Sequence, residues 1–255
     1  MVFAACGAGS AAKHNNPHMD HDANLNSFPQ GFRALVIGAS GGIGAAFVDC
    51  LENNPRCAQV LGLHRHSLPA VDFDTEASMA EAAAQLASGA RFHLIVHAAG
   101  VLHTPQYMPE KKLSDLNYAQ LMDTFRTNTF GPALVLRHFT PLLDSQRGVM
   151  AVLSAKVGSI GDNRLGGWYS YRASKAALNM LVKTASIEVK RSNPAAVLVA
   201  MHPGTVHSRL SQPFRGSGIA RSAADAATDM LRVLDRLTPA DTGQFLAYNG
   251  AQLPW

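Results

Sequence analysis

Tyr171 and Lys175 stand four residues apart at the start of a segment with helical period, so both side chains project from one helix face. An ammonium beside a phenol stabilises the phenolate and brings its pKa down from about 10, which makes tyrosine usable as a general acid or base near neutrality. Tyr169 lacks a lysine four residues on and is the poorer candidate. A second chemical feature is Gly38-Ala39-Ser40-Gly41-Gly42-Ile43-Gly44, set between the apolar run Ala34–Ile37 and Ala45-Ala46-Phe47-Val48. Glycines here permit a sharp turn and let backbone N–H groups approach a pyrophosphate, while a helix N-terminus adds partial positive charge. Gly44 lets that helix lie close to the first strand. The next apolar run ends at His64-Arg65, where a dinucleotide-binding fold meets the adenosine ribose. An Asp there would hold the ribose hydroxyls of NAD and repel a 2′-phosphate, whereas Arg pairs with that phosphate, so NADP is expected over NAD.

Ser40 also completes a Gly-x-Ser-x-Gly pattern, the elbow of an α/β-hydrolase. That fold needs several strands before the nucleophile and a His after the acid; here one strand precedes Ser40 and no histidine follows His207. The cysteines, Cys6, Cys50 and Cys57, form no framework or Cys-x-x-Cys, so disulfide scaffolds and zinc ribbons are excluded and a reducing, cytoplasmic setting is expected. His14, His18 and His21 lack a partner carboxylate or cysteine pattern and read as solvated; no metal is expected. Val2-Phe3-Ala4-Ala5-Cys6 has no basic n-region and too short an apolar run for a leader. No apolar stretch approaches the ~18 residues of a membrane helix.

These residues need elements to position them. Hydrophobic residues make up 47% and charged residues 16% of the 255, which is enough apolar content to bury a sizeable core. The net charge, 22 − 18 = +4, is too mild to argue for nucleic acid or membrane as partner. Residues 1–30 show no apolar periodicity and read as a flexible tail; 31–255 read as one domain. Short apolar runs predict strands near 33–38, 58–64, 92–97, 148–154, 196–201 and 244–248. Helices are expected at about 42–53, 75–88, 114–143, 171–191 and 222–236, with Ser114 and Ser222 as caps. The alternation predicts an α/β fold: one doubly wound, Rossmann-type parallel sheet with helices on both faces. Only His66-Ser67-Leu68-Pro69 separates the second strand from Val71-Asp72, too little for a crossover, so the third strand and its helix should be truncated at that edge.

From about residue 33 to 255 the chain resembles the short-chain dehydrogenase/reductase family. The resemblance rests on an ordered set: the turn Gly38 to Gly44, His97-Ala98-Ala99-Gly100, Asn128 in Asn128-Thr129-Phe130-Gly131, Ser154, Tyr171-x-x-x-Lys175, and Pro203-Gly204-Thr205-Val206. Ser154–Ser159, Gly167–Tyr171 and the ending Asn249–Trp255 are similar to the C-factor-like bacterial branch. Two departures stand out. His97 replaces an asparagine, and Ser154 and Tyr171 are unusually far apart, which implies an enlarged loop carrying Asp162, Asn163, Arg164 and Trp168 beside the substrate.

The resemblance implies a hydride transfer between NADPH and a small carbonyl or alcohol. Ser154 and Tyr171 would hydrogen-bond the substrate oxygen and stabilise the charge that grows there. Tyr171 would deliver the proton, Lys175 would hold the nicotinamide ribose, and Asn128 would position water or Lys175 for a relay. Further implied cofactor contacts are Gly38, Ser40, Gly42, Ile43, Gly44, Arg65, Asp72 toward the adenine amino group, His97, Ala98, Ala99, Gly100, Asn128, Tyr171, Lys175, and Pro203, Gly204 and Val206 toward the carboxamide. Residues 207–221, with Arg209, Arg215 and Arg221 and no acid, would form a substrate flap; these arginines read first as solvated, with an anionic substrate as the alternative. Helices 114–143 and 171–191 resemble those of the family's dimer interface, so a homodimer or homotetramer is expected. The alternative of another class is a nucleotide-binding signalling or regulatory protein of C-factor type with little or no dehydrogenase activity.

Overall fold

The computed structural model describes residues 23–207 and 220–255. Six parallel strands form one sheet in the order β2-β1-β3-β4-β5-β6: β1 (Phe32–Ile37), β2 (Cys57–Leu63), β3 (Leu94–His97), β4 (Val149–Leu153), β5 (Val197–His202) and β6 (Phe245–Ala247). The central strands β3 and β4 are buried throughout, as continuous apolar runs must be when helices cover both faces. Side-chain alternation along β1 feeds two cores. Ala34 and Val36 pack with Phe47 and Leu51 of α1 (Gly42–Glu52) and Met230 and Leu234 of α6 (Ala223–Arg236). Leu35 and Ile37 join Met79 of α2 (Glu76–Ala87), Phe139 of α4 (Gly131–Phe139) and Leu178 of α5 (Tyr169–Ser192).

Among the described residues no strand pairs with the outer edge of β2, as the short spacing requires. Ser67 Oγ accepts from His64 N at 2.9 Å and donates to Pro69 O, and Val71 N donates to His64 O at 3.0 Å, so a tight loop closes the edge and buries Val71.

Three expectations are corrected. Composition places residues 23–30 in a flexible tail, yet Leu25 and Phe28 are buried in the α1/α6 core; 1–22, including Cys6 and the three tail histidines, lie outside the described residues. Ser114 does not cap the next helix. Asp115 Oδ2 accepts from the N–H groups of Lys111 and Lys112 to close a separate 3-10 turn, and Asn117 caps α3 (Tyr118–Phe125) by accepting from Gln120 N at 2.8 Å. The long helix 114–143 is also not continuous. Pro132 has no N–H to give the Asn128 carbonyl, and the chain widens into a π segment, Arg126–Phe130, in which Gly131 N reaches back to Arg126 O. Ser222 caps α6 as expected, accepting from Asp225 N at 3.0 Å.

Candidate active site

Three residues of α5, spaced by four, meet three consecutive residues at the C-terminal end of β4. Lys175 Nζ donates to Leu153 O at 3.1 Å, Ser154 Oγ donates to Asn179 Oδ1 at 2.6 Å, and Tyr171 packs with Ala155 and Leu102. Ser154 is itself held by its N–H, which donates to Met201 O on β5 at 2.7 Å. Tyr171, Lys175, Ser154 and Asn179 are all at least nine-tenths buried. Sequence reasoning placed the first three here and missed Asn179, although it lies on the same helix face eight residues beyond Tyr171.

Burial pushes the Lys175 ammonium down to about 8 and pushes the Tyr171 phenol up from its ordinary value. The expected lowering of the phenol by Lys175 is therefore not what this geometry produces. Desolvation dominates, and Tyr171 holds its proton, the form a proton donor needs.

The start of α5 is fixed from a distance. Gly166, Gly167 and Trp168 all have positive φ, and Trp168 N donates to Glu110 O. The Glu110 carboxylate, 2% exposed, accepts from Ser170 N at 3.2 Å and from the Ser170 hydroxyl, which satisfies donors of the first turn and sets a negative charge at the helix N-terminus. Trp168 meets Tyr171 edge-on, with ring centroids 6.3 Å apart. Arg172 pins the enlarged loop through the carbonyls of Val157, Gly166 and Gly167. Within it Asp162 pairs with Lys156 at 3.4 Å, Asn163 accepts from Gly166 N, and Arg164 is exposed.

Asn128 is fully buried in the π segment. Its amide exchanges two 2.8 Å hydrogen bonds with the Val101 backbone and donates to Ser174 Oγ at 3.1 Å, so it anchors the strand-end loop to α5 and makes no hydrogen bond to Lys175. Gly100 lies between them: a Cβ there would come 3.3 Å from Lys175 Nζ and 3.4 Å from Asn128 Oδ1. His97 is fully buried with neither ring nitrogen hydrogen-bonded, its ring beside Phe73; burial, aided by the Lys175 charge, pushes it down to about 3 and keeps it neutral.

The glycine turn joins β1 to α1 at the point where the chain moves to opposite sides of β1, the crevice in which doubly wound sheets take ligands. Gly38 has φ +89°, and a Cβ on it would lie 2.7 Å from Ala99 N; a Cβ on Gly44 would strike the Gly38 carbonyl. Ala98 N donates to Ile37 O at 2.7 Å, which locks this approach. Ser40, Gly41 and Gly42 are exposed, Ile43 leans on the core, and α1 has no side-chain cap, so its N-terminal donors face an open cradle. That cradle fits a dinucleotide pyrophosphate. Arg65 and Asp72, both expected at the adenosine end, stand together as an ion pair at 3.8 Å, with the Arg65 side chain 66% exposed.

On the other side, Pro203 and Gly204 follow β5, and Gly204, at φ +79°, sits against the Tyr248 ring. Val206 is buried and bridges Arg221. Residues 207–221 carry no acid of their own, and Arg221 finds one in α6: it pairs with Asp229 and lies 4.0 Å over the Tyr248 ring; Arg209 and Arg215 fall outside the described residues. Among the described residues no group of three metal-ligating side chains occurs, and no helix is long and apolar enough to cross a membrane.

The family model described as short chain dehydrogenase matches residues 33–217. A 1-hydroxy-2-glutathionyl-2-methyl-3-butene dehydrogenase from Rhodococcus sp. (strain AD45) is 31% identical over 188 residues, covering 73% of this chain and 79% of that protein. The C-signal protein of Myxococcus xanthus is 36% identical over 146 residues, covering 56% of this chain and 83% of its own length. Among solved structures, a short-chain dehydrogenase/reductase from Burkholderia multivorans with bound NADP superposes with a TM-score of 0.72 at 25% identity, covering 88% of this chain and 99% of that one.

Proposed function

Because this chain belongs to the short chain dehydrogenase family and is an oxidoreductase of CH–OH and C=O groups, we propose that it works with NADP on a small carbonyl or alcohol, with Tyr171 as general acid and base. The observation that carries this reading is the α5 face, which sets Tyr171, Lys175 and Asn179 against Ala155, Leu153 and Ser154 at the end of β4.

In the reduction direction, Ser154 and Tyr171 hydrogen-bond the carbonyl oxygen, and both bonds strengthen as that oxygen gains charge. Burial keeps the phenol protonated until an alkoxide forms to take the proton. The bound cofactor supplies the hydride and, in the reverse direction, accepts it. Lys175 holds its ribose, and the turn from Gly38 to Gly44 with the α1 N-terminus holds its pyrophosphate. Ala98, Ala99 and Gly100 line the approach beside His97, with Asn128 holding the adjoining Val101. Pro203, Gly204 and Val206 contact the carboxamide. Arg65 takes the 2′-phosphate and Asp72 the adenine amino group; a neighbour 25% identical holds NADP, which supports the same preference here. With Arg221 committed to Asp229, nothing among the described flap residues favours an anionic substrate.

Met180 and Ile187 lie seven residues apart on α5, both exposed, and support a homodimer or homotetramer through that face. Cys57 is a free thiol, in keeping with a cytoplasmic location. The similarity to the C-signal protein favours a second reading, a nucleotide-binding signalling role. Incubation of the purified chain with NADPH and a panel of aldehydes, ketones and quinones tests the first: loss of the reduced-nicotinamide absorbance is expected. NADPH binding with no consumption, and a cellular effect that survives Tyr171→Phe, would favour the second.

A further inference from the structure

We propose that Asn179 is a positioning residue for the reaction: its buried amide sets which way the Ser154 hydroxyl points, and so whether Ser154 offers a proton or a lone pair to the substrate oxygen. This rests on the role given to Ser154 above. Three observations combine. Ser154 Oγ lies 2.6 Å from the amide of Asn179, both residues are at most 4% exposed, and the far end of that amide, Nδ2, has no hydrogen-bond partner. A buried donor without an acceptor is left with its desolvation uncompensated. The oxygen and nitrogen ends of an amide have nearly the same shape, so a half-turn of the group puts Nδ2 where Oδ1 stood.

The two orientations give Ser154 opposite polarity. With Oδ1 toward Ser154, the hydroxyl proton is committed to Asn179, and Oγ presents lone pairs that suit the hydroxyl of an alcohol about to be oxidised. With Nδ2 toward Ser154, Oγ accepts from the amide, Oδ1 takes the unpartnered place in exchange for the nitrogen, and the hydroxyl proton is free to bond a carbonyl oxygen. The second arrangement is the one in which Ser154 stabilises the charge that grows during reduction. Neither group titrates in the working range, so the exchange needs no proton from solvent. It needs only that the amide stay buried and on the Tyr171 face of α5, and both conditions hold.

The test uses the full chain in two arms. In the first, the side-chain NH2 signals of the nitrogen-15-labelled protein are recorded, with the Asn179 pair identified as the one absent from Asn179→Asp. One proton of that pair is expected to shift in Ser154→Ala, because its acceptor is gone; a pair unmoved by Ser154→Ala overturns the proposal. In the second, NADPH-dependent reduction of benzaldehyde or another aldehyde from the panel is measured. Asn179→Asp, whose side chain has no N–H to give and accepts at the Ser154 hydroxyl when ionised, should trap the Ser154 proton and lower kcat about tenfold or more with the KM for NADPH unchanged. Added to Ser154→Ala it should cost nothing further, whereas a loss that adds in full overturns the proposal. A wild-type protein that reduces no carbonyl would count against the proposed function, and the NH2 signals would still decide the role of Asn179.

Discussion

The Glu110 carboxylate accepts both the backbone N–H and the hydroxyl of Ser170, sixty residues along the chain, and so ties the loop after β3 to the first turn of the helix that carries Tyr171. An acid at this point satisfies donors that α5 cannot satisfy for itself and complements the helix dipole. Glu110→Ala would leave two buried donors of Ser170 unpaired.

Glu110→Ala is therefore expected to destabilise the fold by about 1–3 kcal/mol in urea unfolding and to lower kcat by loosening Tyr171. Glu110→Gln keeps one acceptor and should fall between the two. A wild-type urea midpoint for Glu110→Ala would contradict this account of how α5 begins.

The Arg65–Asp72 pair at 3.8 Å predicts cofactor choice. Arg65 is exposed enough to leave Asp72 for a 2′-phosphate, a partner with more charge and more acceptors. In parallel fluorescence titrations the wild type should bind NADPH at least about tenfold more tightly than NADH, and Arg65→Asp should remove or reverse that preference. Equal wild-type affinities would refute the assignment.

Acid should unfold the protein by way of His97. The unfolded chain takes up a proton near pH 6.5, while the folded chain resists until about pH 3, so between those values the unfolded state binds more protons and stability falls as pH falls. His202, pushed down to about 4 by burial, acts in the same direction. One such proton is worth about 1.4 kcal/mol per pH unit. Urea midpoints of the wild type should drop between about pH 6.5 and pH 4.5, and His97→Asn should show a shallower drop. Identical slopes would show that His97 is not the group responsible.

Most of the fold is legible in the sequence because strands buried on both faces are unbroken apolar runs: Leu94–His97, Val149–Leu153 and Val197–His202 show little else. Tyr171 and Lys175, proposed as the catalytic pair, are legible because a helix repeats its face every four residues, and the same rule, carried one step further, reaches Asn179. Glu110 carries no such signal. It lies in a polar loop and acquires its role only when the sheet brings α5 beside it. Leu25 and Phe28 are hidden for another reason: two apolar residues in a polar stretch have no period, yet both fill the core beside α1 and α6. The break at Arg126–Phe130 is announced by Pro132, but a proline so placed also suits a helix start, and the π form becomes clear only with Gly131 N bound to Arg126 O.

The proposed function turns on Tyr171 moving the proton in an NADPH-dependent carbonyl reduction. Its most direct test follows NADPH oxidation in the wild type and Tyr171→Phe with the best aldehyde or ketone of the panel, together with NADPH binding to both. Turnover by the wild type is expected, with a fall of about 10²–10⁴ in kcat for Tyr171→Phe and NADPH affinity retained. A Tyr171→Phe protein that turns over at the wild-type rate would contradict it.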